Sequence, residues 1–161
     1  MKSLSFTIPI TPTAQMRARA AVRGKHATVY KAKEQVDAEG NIISLLVAHA
    51  PETPFSGAIG ICIGVYLPVP ASKSDWWKEA AHKDIISHTS KPDLDNYIKN
   101  ILDCMSVTGF WDDDRQVVSI LSHKTYSKKP RWEIVVNYDR NEPKSKKDYL
   151  VNNYLFTGEN R

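Results

Sequence analysis

The 161-residue sequence is poor in cysteine, with only Cys62 and Cys104, and neither has a second thiol near it. That scarcity leaves no basis for a zinc knuckle or a disulfide framework, and both cysteines read as small core hydrophobes. The five histidines (His26, His49, His82, His88, His123) show neither HExxH nor CxxH spacing, so a dedicated zinc enzyme is not indicated and histidine catalysis has no support. No P-loop glycine pattern occurs. No apolar run approaches the roughly 18 residues of a membrane span. The opening MKSLSFTIPI lacks the apolar centre and small-residue cleavage site of a signal peptide. A cytoplasmic protein without a membrane partner is expected.

Acidic residues are also missing from one region. Positions 1 to 33 hold seven Lys or Arg and no Asp or Glu, and positions 124 to 147 hold eight against three acids. The acids gather instead at 91 to 114, KPDLDNYIKNILDCMSVTGFWDDD, which holds six of the eighteen. A net charge of +4 is therefore arranged as two basic flanks around an acidic centre. That layout suits a polyanion held by the flanks while central carboxylates collect cations. Solubilising surface lysines would give the same counts.

Composition is otherwise globular, 42% hydrophobic and 25% charged, and the length suits one compact domain. SLSFTIPI alternates as a half-buried strand stopped by Pro9 and Pro12, and a basic loop follows. Helical patterns run from Lys31 to about Asp37 and from Asn41 to Ala50, with a break or kink expected at Gly40. A central strand is expected from about Ala58 to Leu67, then a helix opening at Ser72 or Ser74. After KPD, Leu94, Ile98, Ile101, Leu102 and Met105 form one apolar helical stripe that stops at Gly109. QVVSILSHKTY and RWEIVVNY read as a hairpin joined by SKKP. The expected fold is α+β, a mixed or antiparallel sheet with packed helices. A domain over 1–138 and a charged tail over 139–161 complete the layout.

Asp93 and Asp95 sit where a loop turns into a helix, a geometry that aims both carboxylates at one point. Asp112, Asp113 and Asp114 follow the end of the same helix, about 20 Å away, and meet the first pair only if the chain folds back along it. Grouped carboxylates repel unless a cation neutralises them, and Mg²⁺ or Mn²⁺ takes such hard oxygen ligands and bridges them to phosphate. Lys99 would orient water or offset charge on that phosphate. Each residue alone has a plainer reading: Asp95 as a helix N-cap, Lys99 as the i+4 partner of Asp95 and Asp103, and the DDD run as an acidic turn. A calcium EF-hand fails because Tyr97 and Ile98 occupy its third ligand and glycine positions.

Taken together, KPDLDNYIKNILDCMSVTGFWDDDRQV resembles the signature of the RusA family of Holliday-junction resolvases. Asp93, Asp95, Asn96, Lys99, Asp103, Gly109, Asp113, Asp114 and Gln116 match its pattern in identity and order. The strand ending at Pro9, with Pro12, Arg17 and Arg19, is similar to the family's proline-containing basic opening, although Ala14, Gln15 and Met16 intervene. The resemblance implies a RusA-like fold and a small homodimeric endonuclease that uses Mg²⁺, with Mn²⁺ as a substitute. It implies metal carboxylates on Asp93, Asp95 and Asp114, with Asp113 adjacent and the essential lysine on Lys99. Paired nicks across a four-way DNA junction and a phage origin are also implied. Arg17, Arg19, Arg23 and Lys25 would then contact DNA phosphates, and Lys124, Lys128, Lys129 and Arg131 on the hairpin are the alternative DNA surface. A nuclease for other branched or flapped DNA and a non-cleaving DNA-binding module are the competing readings.

Overall fold

A computed structural model describes residues 1–16, 19–23 and 26–138. Along the chain run β1 (Lys2–Ile8), β2 (Arg19–Arg23), β3 (His26–Tyr30), α1 (Lys33–Leu46), β4 (Ile59–Leu67), α2 (Asp75–His82), α3 (Leu94–Val107), β5 (Val117–Tyr126) and β6 (Arg131–Tyr138). Four strands form a mixed sheet ordered β1-β6-β4-β5, in which β4 is antiparallel to β6 and parallel to β5. The α+β expectation holds. Several local expectations do not. The residues read as a basic loop contain the antiparallel ribbon β2–β3, and β5 and β6 share a tight turn without pairing. The central strand β4 lies between them, its backbone bonded on both edges and most of its residues buried.

The alternate residues Ile59, Ile61, Ile63, Val65 and Leu67 of β4 are all buried, beside Trp132, Ile134 and Val136 of β6. Onto this face pack Ile42 and Leu46 of α1 and Tyr97, Ile101, Cys104 and Met105 of α3. Burying each such large side chain contributes about 1.5–3 kcal/mol, so the sheet face fixes both helices. α1 runs unbroken through Gly40, contrary to the expected kink, since nothing crowds that exposed position and packing outweighs one glycine's cost of roughly 1 kcal/mol.

α3 closes as its sequence demands. Gly109 adopts φ 80°, its amide reaches Ser106 O at 3.1 Å, and the Phe110 amide reaches Met105 O at 3.1 Å. This paired C-terminal motif needs a left-handed residue and returns the chain sharply, seating Phe110 in the core.

The described residues bury two polar side chains, Gln35 of α1 and Asn100 of α3. Gln35 Nε2 donates to Asn100 Oδ1 at 2.9 Å, and Asn100 Nδ2 donates to Thr13 O at 2.8 Å. Gln35 Oε1 accepts the Met16 amide at 2.8 Å, while Lys31 Nζ pairs with Glu39 at 2.9 Å. Both ends of the segment carrying the ribbon are thus tied to α1, and buried amides with every bond made fix one arrangement.

Candidate functional site

Asp93 is the N-cap residue of α3, yet its carboxylate makes no capping bond. An N-cap side chain ordinarily accepts from the first helical turn, so this carboxylate is left available to another partner. Asp95, in the first turn, accepts the Asn96 amide at 2.9 Å and stays exposed. Lys99 is exposed one turn on and forms no ion pair among the described residues. Its i+4 neighbour Asp103 accepts instead from Gln15 Nε2 at 3.0 Å. The reading of Lys99 as a helix salt-bridge partner is not what the chain builds.

Asp113 and Asp114 lie at the opposite end of α3. Asp113 caps the 3-10 turn Asp114–Gln116, its carboxylate accepting the Arg115 amide at 2.9 Å, while Gln116 Oε1 accepts the amides of Asp112 and Asp113. Gln116 Nε2 then donates to Phe55 O and Gly57 O, fastening the acidic turn to the loop before β4. Asp114 is exposed with its carboxylate unspent. The chain does fold back along α3, but the acids stand where β5 begins. β5 rises about 3.3 Å per residue and ends about 30 Å further on. What it brings to the start of α3 is Lys124, not Asp114. Among the described residues no three His, Cys, Asp or Glu side chains group around one point.

Lys124 Nζ donates to Ser90 O at 2.9 Å and Pro92 O at 2.8 Å, the loop leading into Asp93. In the sequence Lys124 reads only as a surface cation, and its polar neighbours Ser122, His123 and Thr125 give no signal of this tie. Beside it the His88 ring lies tilted against Tyr126, and burial with the Lys124 charge lowers its pKa. At this end a hollow of about 860 Å³ opens between α2 and the β5–β6 turn, lined in part by His82, Lys83, Lys128, Lys129 and Arg131. Arg19 and Arg23 fall on β2, whereas Arg17, Lys25 and the tail 139–161 lie outside the described residues. Cys104 is buried, its thiol pushed up to about 12 by burial, which makes it inert as a nucleophile.

Asp93 and Asp95 suit a hard divalent cation, since Mg²⁺ is commonly held by one or two carboxylates and completed by waters and substrate phosphate. A carboxylate pair, a lysine without an ion pair among the described residues and basic flanks are compatible with a site that receives a phosphodiester polyanion. Residues 9–137 match the family Endodeoxyribonuclease RusA, and the chain belongs to that family. It is 32% identical over 138 residues to the uncharacterized protein YqaN of Bacillus subtilis (strain 168), covering 84% of this chain and 96% of that protein. It is also 36% identical over 64 residues to a crossover junction endodeoxyribonuclease of Lactococcus phage r1t, covering 40% of this chain and 43% of that one. No helix among the described residues is long and apolar enough to cross a membrane.

Proposed function

We propose that the chain is a metal-dependent endonuclease that resolves four-way DNA junctions as a two-fold pair. The observation that carries this reading is the division of its exposed carboxylates, Asp93 and Asp95 at one end of α3 and Asp114 at the other. The strand between these ends, β5, is a sheet edge with Val118 57%, Ile120 44% and Leu121 71% exposed. In an antiparallel pair the start of one strand lies opposite the end of its partner. Two copies joined through β5 would therefore bring Asp114 of each toward Asp93 and Asp95 of the other. Two equivalent sites across one axis match the near two-fold symmetry of a junction and give one nick per site.

A bound Mg²⁺ or Mn²⁺, held by Asp93, Asp95 and Asp114 with Asp113 alongside, would activate water and stabilise the leaving oxygen. Lys99 faces the same end of α3 and would balance charge on the phosphate. Arg17, Arg19, Arg23 and Lys25, with Lys128 and Lys129 on the far turn, would hold flanking phosphates.

The test begins with labelled four-way junctions, flaps and duplexes, with and without Mg²⁺. Junctions should be cut in symmetric pairs and duplexes left intact. Preferential flap cutting would favour the broader branched-DNA reading, and metal-independent binding without cleavage would favour the non-cleaving module. Asp93→Asn and Asp114→Asn should each abolish cleavage while junction binding persists. Mixed together and allowed to exchange subunits, they should recover single nicks, because one of the two sites then has every carboxylate. A site contained within one chain would recover nothing.

A further inference from the structure

We infer that Lys124 is the residue that positions Asp93, acting through the main chain rather than by touching substrate. The inference rests on the reading of Asp93 as a metal ligand. With no capping bond, the Asp93 carboxylate is placed entirely by its backbone. On the helical side that backbone is held by the bond from the Asn96 amide to Asp93 O at 3.2 Å. On the other side the peptide plane containing the Asp93 nitrogen also contains Pro92 O, and Lys124 Nζ donates to that oxygen at 2.8 Å. A second bond, to Ser90 O at 2.9 Å, fixes the loop one step further back. One ammonium thus spans the approach to α3 and sets the direction in which Asp93 leaves it.

A purely structural tie would be built more simply. Lys124 stands in register with the fully buried Val65, on the sheet face that carries the helices, and is itself half-buried. Its two acceptors, Ser90 O and Pro92 O, are neutral carbonyls, and no carboxylate pairs with it among the described residues. Two of its donors are thus committed to the loop that presents Asp93. Groups that orient a metal ligand in this way typically govern affinity or activity by about 10–100-fold.

The experiment compares wild type with Lys124→Met, Lys124→Gln and Lys124→Arg. Mn²⁺ binding is read by calorimetry without DNA, junction cleavage across a Mg²⁺ series, and thermal midpoint in parallel. Lys124→Met should weaken Mn²⁺ binding about tenfold and raise the Mg²⁺ needed for half-maximal cleavage, with junction KM little changed. Lys124→Arg, which keeps charge and donors, should recover most of the loss, and Lys124→Gln less. Unaltered Mn²⁺ affinity in Lys124→Met overturns the inference, as does a loss of activity that follows the fall in thermal midpoint with the Mg²⁺ requirement unchanged. A wild type that binds Mn²⁺ but cuts no branched DNA would sink the junction reading and leave the Mn²⁺ comparison to decide this one.

Discussion

His88 shows how one side chain ties the site to the stability of the fold. Its ring packs on Tyr126 at a centroid distance of 4.6 Å with Nδ1 buried and without a hydrogen-bond partner among the described residues. Burial first, and then the Lys124 charge, lower its pKa from the ordinary 6.5. The folded state therefore binds fewer protons than the unfolded state just below that value, so stability is present at neutral pH and falls as acid charges the ring. Between about pH 7 and pH 5, wild type should lose more thermal stability than His88→Phe, measured as the difference between their melting midpoints. Parallel pH profiles would show that the ring titrates as it does in water. At this scale the sequence was partly legible. Asp93, Asp95 and Lys99 stand together at one end of α3 because a Pro-Asp turn and an i+4 step are local geometry. The ties made by Lys124, Gln116 and Asn100 span 32 to 87 residues, and nothing in local spacing announces them.

Among the elements, α3 was readable from its apolar stripe and its glycine stop, both satisfied within a few turns. The pairing of β5 was not, because a short polar turn between two β-rich runs is the usual hairpin signal and only the demands of β4 override it. β4 also carries a tight spot. A Cβ on Gly64 would sit 2.7 Å from Cε2 of Tyr66, whose ring is covered by the Arg131 guanidinium at 3.7 Å. With Arg131 bonded in turn to Glu133 at 2.7 Å, the ring has little room to yield. Gly64→Ala should cost about 1–3 kcal/mol by denaturant melt. In a Tyr66→Ala background the same change should cost much less; equal costs in both backgrounds would place the conflict elsewhere.

For the whole molecule, the two sheet edges differ in chemistry. β1 presents Lys2, Ser3, Ser5 and Thr7 at exposed positions, whereas β5 presents Val118, Ile120 and Leu121. An exposed, apolar edge strand is a surface that proteins usually cover. Leu121→Lys should lower the molar mass measured by light scattering and abolish junction cleavage, while helix content and the melting transition of the separated chain persist. An unchanged mass would move the two-fold interface off β5.

The pairing of β1 with β6, from Lys2 against Tyr138 to Ile8 against Trp132, bears on biosynthesis. β1 has no other neighbour in the sheet, and β4 keeps a bare edge until β6 arrives between them. Contacts that join such distant segments form slowly, because the loop between them must close first. On the ribosome the carboxylate helix emerges before β6, yet the sheet it leans on is unfinished. Assembly of the nuclease is thereby deferred until translation has passed β6, and a chain broken off before β6 would carry every proposed catalytic side chain without the platform that aligns them.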